Sequence, residues 1–214
     1  MPTPVPTPVP TPVPTRLPDA TVAAVRRVLD AAPARLGPAR LLCLDGPSGS
    51  GKTSAAHDLV THLRTDRDGG GDVRDVRLLH VEDHYEGWGG LGGAPRRMAD
   101  LLTDLAEGRP GRFRSYDWEV EAFADEQVVA PLGPGSVVVL EGVGAGAAAL
   151  RRFRSALVWI EAPRALRLRR GLERDGAHLE PQLRAWSRSE DAHFAAQGTR
   201  AAADLRLDAY GRSS

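Results

Sequence analysis

The chain has 214 residues, of which 42% are apolar, 26% charged and 5% aromatic. This composition is typical of a folded globular protein and unlike that of disordered or fibrous chains. Its 28 basic and 28 acidic residues cancel, which argues against a broad basic surface for nucleic acid or anionic lipid. No apolar stretch is long enough to cross a bilayer, and the single cysteine, Cys43, is expected to be a buried thiol. We therefore expect one cytoplasmic domain without a membrane span, in an oligomeric state that the sequence leaves open.

The first segment repeats Thr-Pro-Val-Pro three times between residues 3 and 14. Proline at every second position prevents both helical and ladder hydrogen bonds. We therefore predict a disordered proline-rich tail over residues 1–17 and a folded domain over residues 18–214. The domain is expected to begin with a helix at residues 19–31, capped by Asp19.

Five short apolar runs in the remaining chain are predicted strands, and helical patterns separate them. The strands are predicted at residues 40–44, 76–82, 137–140, 157–160 and 205–207. The helices are predicted at residues 53–64, 97–107, 147–153, 164–174 and 181–197. Strands alternating with helices are typical of an α/β fold, here a five-stranded parallel sheet with helices on both faces. Glycine-rich loops are expected at residues 69–71 and 87–93.

A phosphate-binding motif follows the first predicted strand. Residues 46–53 read Gly-Pro-Ser-Gly-Ser-Gly-Lys-Thr, which is the Walker A pattern in the strand–loop–helix context that this pattern requires. Its lysine is the only one among the 28 basic residues, at the one place where a compact ammonium group is needed. Predicted ATP-binding residues are Gly46, Ser48, Gly49, Ser50, Gly51, Lys52, Thr53 and Ser54, with Lys52 also catalytic.

Acidic residues end two of the predicted strands, at the sheet edge where parallel sheets bind ligands. Glu82 and Asp83 are each a candidate base for a substrate hydroxyl, and only one of them is expected to act. Glu141 is predicted to serve Mg²⁺ together with the Thr53 hydroxyl. A zinc site formed by His80, Glu82 and His84 is a weaker alternative.

A cluster of arginines in the helix at residues 164–174 provides guanidinium groups for phosphoryl oxygens. Arg167, Arg170 and Arg174 are the predicted catalytic members. A competing motif, Gly142-x-Gly144-x-x-Ala147 with Glu161 nineteen residues after Gly142, is similar to a dinucleotide-binding fingerprint and would indicate an NAD enzyme. Its connection is shorter than such a unit usually requires.

These motifs together resemble the uridine kinase group of P-loop kinases, which are relatives of phosphoribulokinase and pantothenate kinase. The resemblance extends over about residues 40–208. It rests on the Walker A sequence and on short segments that follow it in the same order. These segments are Val-Glu-Asp-His-Tyr at residues 81–85, Tyr-Asp-Trp at 116–118, Glu-Gly-Val at 141–143, the arginines of the lid-like segment, and Ala-Asp-Leu at 203–205.

The resemblance implies a P-loop NTPase fold and ATP-dependent phosphorylation of a hydroxyl on a nucleoside, with Glu82 at the position of the family's base. Tyr85, Tyr116, Asp117 and Trp118 are the predicted acceptor-binding residues, with Trp88 a further candidate. The histidine and arginine that would read a pyrimidine are missing after residue 118, so the acceptor is open between a uridine-like nucleoside and another small molecule. An ATP-binding regulator without phosphoryl transfer is the alternative from a different functional class.

Overall fold

The computed structural model describes residues 16–65 and 75–213 of the chain. In chain order the elements are α1 (Asp19–Ala31), β1 (Arg40–Asp45), α2 (Lys52–Arg64), β2 (Val76–His80), α3 (Ala94–Ala106), β3 (Gly111–Asp117), β4 (Ala122–Val129), β5 (Val137–Glu141), β6 (Ala156–Ile160), α4 (Arg164–Asp175), α5 (Glu180–Gln197) and β7 (Leu205–Leu207). The predicted tail up to residue 15 and the predicted loop at residues 69–71 lie outside the described residues.

A five-stranded parallel sheet forms the centre of the domain, in the order β2-β5-β1-β6-β7. Every residue of β5 and β6 is buried, because helices cover both faces of the sheet. The side chains of α1 and α2 pack on one face, and those of α3 pack on the other with Trp186 of α5. The predicted sheet with helices on both faces is confirmed. Cys43 is buried within it, as expected.

The register of the sheet brings the ends of three strands together. Glu141, the last residue of β5, lies beside Leu44 of β1 and beside His80, the last residue of β2. The loop after β1 therefore starts next to the segments that follow β2 and β5. Parallel sheets bind ligands at this edge.

A two-stranded antiparallel hairpin, β3–β4, was absent from the predicted elements. Most of its residues are exposed or half-buried, so the alternation of apolar and polar residues that marks a half-buried strand is weak. The hairpin packs on α3 through Phe113 and Gly111, where a Cβ atom would lie 2.4 Å from Leu101 Cδ1. This close packing, rather than strand periodicity, fixes its position.

The predicted helix at residues 147–153 is wrong, since only one 3₁₀ turn, Ala148–Leu150, forms there. The strand predicted to reach Glu82 ends at His80 and continues as a 3₁₀ turn, Val81–His84. The glycine-rich segment expected to be a loop forms another such turn, Gly87–Gly92, and α3 opens two residues after it.

At the amino-terminal side the folded domain includes more residues than predicted. Leu17, assigned to the tail, is buried, and its amide donates to Asp58 Oδ2 at 2.7 Å. The first helix follows Pro18, and Asp19 lies in its first turn without making the predicted capping hydrogen bond. Within residues 16–65 and 75–213, no helix combines the length and the apolarity needed to cross a membrane.

Candidate active site

The loop at residues 46–51 connects β1 to α2 in a conformation that depends on its glycines. Gly49 has a φ of 77°, and a Cβ atom there would lie 2.7 Å from the Arg167 carbonyl oxygen. Gly51, with a φ of 106°, precedes the first residue of α2. The amide groups that open a helix attract anions. The loop therefore has the backbone that phosphate binding requires.

Lys52, the first residue of α2, directly follows this loop and is buried apart from 7% of its surface. Its ammonium group donates to the Pro47 carbonyl oxygen at 3.1 Å, which bends the side chain back over the loop. An ammonium has three donors and no acceptor, so donors beyond this bond are available for phosphate oxygens.

Beside Lys52, hydrogen bonds link three side chains in a row: Thr53, Glu141 and His80. The Thr53 hydroxyl donates to the Glu141 carboxylate, with both oxygens at 3.3 Å. His80 Nδ1 donates to Glu141 Oε1 at 2.6 Å, and this bond raises the pKa of His80. Hydroxyl and carboxylate oxygens suit Mg²⁺, which usually takes one or two protein ligands and completes its shell with water and phosphate. The residues present therefore fit a magnesium site.

Asp45, which sequence reasoning missed, secures the loops at this edge. Its carboxylate accepts hydrogen bonds from the amides of Gly46, Gly144 and Gly146 at 2.7, 3.0 and 2.8 Å. Complete burial raises its pKa to about 6, against the effect of these bonds. Two of these bonds hold the backbone at Gly144 and Gly146, immediately before the segment that was predicted to be helical. The sequence signal that could have identified Asp45 was an aspartate at the end of an apolar strand.

The three predicted arginines of α4 have different surroundings. Arg170 is 8% exposed and donates to the carbonyl oxygens of Gly49 and Ser50 at 2.9 and 3.4 Å, while its Nε and Nη2 have no hydrogen-bond partner. Arg174 is paired with Asp175 through bonds of 2.6 and 2.8 Å. Arg167 donates to the Ala162 carbonyl at 3.1 Å.

A cavity of about 1110 Å³ contains most of the predicted site. It is lined by six residues of the phosphate-binding segment, Ser48, Gly49, Gly51, Lys52, Thr53 and Ser54. Glu141, Arg170 and Arg174 line it as well, as do Glu82 and the aromatic residues Tyr85, Trp88 and Trp118. Although Glu82 is accessible to solvent, the surrounding walls displace water from its carboxylate and raise its pKa.

The remaining predicted residues do not line this cavity. Asp83 is half-buried beside it. Tyr116 packs edge-on against Trp118, with ring centroids 5.5 Å apart. Asp117 Oδ1 accepts hydrogen bonds from the amides of Glu119 and Val120 at 2.8 and 3.2 Å, so this carboxylate holds the hairpin turn.

Arg167, Gly46 and Ser50 also lie outside the lining of the cavity. The Gly46 amide instead donates to Asp45, and Ser50, within the loop, is buried with 1% of its surface exposed.

Two residues of α5 were not anticipated: Trp186, which is part of the cavity wall, and Glu190, which is buried outside its lining. Trp186 lines the cavity and donates from Nε1 to Ser48 Oγ and Glu190 Oε1 at 2.9 and 2.7 Å. The same carboxylate oxygen accepts the Ser48 amide at 2.7 Å, and its second oxygen lies 3.5 Å from Arg167 Nη1. Trp186 and Glu190 are four residues apart on one helix face, and this spacing was the only sequence signal for the pair. Arg167 therefore acts on the loop through Glu190.

The zinc and dinucleotide alternatives find no support in this geometry. No group of three histidine, cysteine, aspartate or glutamate residues that could hold a metal occurs in the described ranges. Gly142 opens no α-helix, and β6 pairs with β1 and β7 rather than with β5. Glu161 is already bound by Arg200 through hydrogen bonds of 2.8 and 3.0 Å, which lower its pKa to about 2.

Comparison with known proteins finds neither a matching family profile nor a similar curated sequence. Solved structures do match. A protein described as a possible uridine kinase from Bacillus stearothermophilus has a TM-score of 0.61 and 19% identity, over 89% of this chain and 98% of that one. A provisionally described fructose transport system kinase from Silicibacter sp. TM1040 has a TM-score of 0.56 and 18% identity, over 81% and 94%.

The YGR205w protein is similar as well, with a TM-score of 0.53 and 11% identity over 90% of this chain and 96% of that one. Identities this low establish the fold alone. The chain has the α/β fold of the P-loop kinases, as its resemblance to the uridine kinase group implies.

Proposed function

We propose that this protein is an ATP-dependent kinase that phosphorylates a hydroxyl group of a small molecule, a uridine-like nucleoside or another alcohol. The observation that carries the proposal is that Lys52, Thr53 and Glu82 line one and the same cavity. Phosphoryl transfer depends mainly on positioning and charge stabilisation, and it needs these groups around one reacting centre.

The phosphate half of the cavity supplies the charge stabilisation. The loop amides and the Lys52 ammonium bind phosphate oxygens of ATP. Arg170 lines the same space, and its guanidinium adds positive charge for the oxygens of the transferred group. Thr53 and Glu141 would hold Mg²⁺, and this ion, when bound, supplies further positive charge beside the phosphates.

Glu82 supports the acid–base part of the proposal. It lines the same cavity as the phosphate loop, and its raised pKa brings a carboxylate closer to the range useful for a general base. The acceptor oxygen forms a bond to the γ-phosphorus as the bond from phosphorus to the ADP oxygen breaks. The hydroxyl proton passes to Glu82. Asp83 is the alternative base, and it lies outside the lining of the cavity.

The test incubates the full-length protein with ATP and Mg²⁺ and with nucleosides, sugars, polyols and amino alcohols in turn. ADP release and ³¹P NMR of the products are measured together. We expect one acceptor class to give a new phosphate ester, and Lys52→Ala to abolish its formation. ATP binding without any ester, with ADP release at background for every acceptor, would contradict the kinase proposal and favour an ATP-binding regulator.

A further inference from the structure

Three tryptophan rings form one corner of the cavity wall. Trp88 lies edge-on to Trp118, with centroids 5.5 Å apart and planes at 69°. It also lies edge-on to Trp186, at 6.1 Å and 76°. Because the ring planes are close to perpendicular, the faces of the rings point in different directions around one shared space. Stacked rings would instead present a single flat surface. The corner combines residues of the Gly87–Gly92 turn, the hairpin turn and α5.

The charged residue next to Trp118 in the cavity wall is acidic. Glu119 follows Trp118 in the hairpin turn, lines the cavity and is exposed. Its carboxylate has neither a hydrogen bond nor an ion pair with any described residue. Glu82 is the second carboxylate, and its neighbouring cation, Arg174, is engaged by Asp175. Of the positive charges that line the cavity, Lys52 and Arg170 contact the phosphate loop, and Arg174 is the one already engaged by Asp175.

The hairpin turn that carries Trp118 and Glu119 is held in place. Asp117 accepts hydrogen bonds from the amides of Glu119 and Val120, and Tyr116 packs against Trp118. Two neighbouring residues, one aromatic and one acidic, are thereby held at the cavity wall before any acceptor arrives. A held site loses less conformational freedom on binding than a mobile one.

Aromatic faces attract organic cations, and a carboxylate without a partner adds to that attraction when the site is partly desolvated. A neutral nucleoside or sugar would stack on the rings and could donate a hydroxyl to Glu119, but it would leave the negative charge of that carboxylate unbalanced. We infer that the acceptor is a small organic cation, an ammonium-bearing alcohol whose charged group contacts the tryptophan corner and Glu119 while its hydroxyl reaches Glu82. This inference rests on the proposed function and specifies the substrate class.

The first test measures binding alone, by quenching of tryptophan fluorescence and by calorimetry on the full-length protein without ATP. Two matched pairs are compared: choline with its neutral carbon analogue 3,3-dimethylbutan-1-ol, and glucosamine with glucose. We expect at least one cation to bind about tenfold or more tightly than its neutral counterpart. Affinity no greater for the cation in both pairs would overturn the inference, as would tighter binding of uridine than of either cation.

Variants then test which residues cause the preference for cations. Glu119→Gln and Trp118→Leu are each expected to reduce the ratio of cation to neutral affinity by about fivefold or more. Asp125→Asn is the control, since it removes an exposed acid of the same hairpin that lies outside the cavity lining, and it should keep the wild-type ratio. Unchanged ratios in both cavity variants, with far-UV circular dichroism showing that they fold, would refute the site.

The kinase assay separates this inference from the proposed function. If neutral alcohols are phosphorylated with a kcat/KM equal to or higher than that of cations, the kinase proposal stands and the cation site is overturned. Selective cation binding without phosphoryl transfer to any acceptor would retain the site and contradict the kinase. Higher kcat/KM for the cation of a matched pair, lowered selectively by Glu119→Gln, would support both.

Discussion

His84 connects the candidate base to the hairpin, and its burial predicts an acid-sensitive stability. The side chain is 2% exposed, and its ring stacks on Phe113 with centroids 5.2 Å apart. Arg97 donates two hydrogen bonds to the His84 carbonyl oxygen, at 3.0 and 2.6 Å. Burial, assisted by the nearby Arg97 charge, lowers the pKa of His84 to about 4. The folded protein therefore holds this imidazole neutral.

The magnitude follows from the difference between the two states. An unfolded histidine titrates near 6.5, and the separation from about 4 corresponds to about 3 kcal/mol, at about 1.4 kcal/mol for each pKa unit. Because the unfolded chain binds the proton more readily, acid favours unfolding. The free energy of unfolding should fall by about 3 kcal/mol between about pH 6.5 and pH 4 on account of this residue.

The assay compares urea unfolding of the wild type with His84→Phe and His84→Leu at several pH values from 7.5 to 4. Phenylalanine keeps a ring on Phe113 and leucine does not, so the variants should differ by a constant packing cost. Both lack the titrating group, and both should lose less stability than the wild type on acidification, by the same amount. Three parallel curves of unfolding free energy against pH would refute the reasoning.

Three further predictions concern the candidate site. Lys52→Ala should lower turnover roughly 10²-fold or more by removing a charge on the transferred phosphates, with an unchanged melting temperature; turnover within a few-fold of wild type would contradict its role. Glu82→Gln should lower kcat by roughly 10²-fold, with ATP affinity nearly retained, as expected for loss of a general base. Asp83→Asn should lower kcat by a smaller factor. A larger loss of kcat for Asp83→Asn than for Glu82→Gln, measured at saturating ATP, would contradict this ranking. Gly49→Ala should destabilise the protein by about 1–3 kcal/mol in urea unfolding, because its Cβ would lie 2.7 Å from the Arg167 carbonyl oxygen; equal stability would mean that the loop adjusts.

Short-range patterns in the sequence were sufficient for the sheet and the phosphate loop. The strands buried on both faces contain continuous apolar runs, as at residues 137–140 of β5, because neighbouring helices require apolar residues on both sides. The phosphate loop is equally local, since its glycines and Lys52 act within a few residues of one another. The positions of Thr53 and Glu141 also follow from these local patterns, since strand ends meet at one edge.

Contacts between distant segments decided the rest. Sequence periodicity missed the β3–β4 hairpin, because its position depends on packing against α3 rather than on a buried face of its own. Glu190 meets Ser48 across 142 positions of the chain, and Asp45 meets Gly144 across 99. Polar groups become buried partners only when the fold brings them together, so the local sequence around Asp45 and Glu190 does not reveal which groups they bind. The tryptophan corner has the same origin: Trp88, Trp118 and Trp186 come from three separate segments, and only the tertiary structure places them around one cavity.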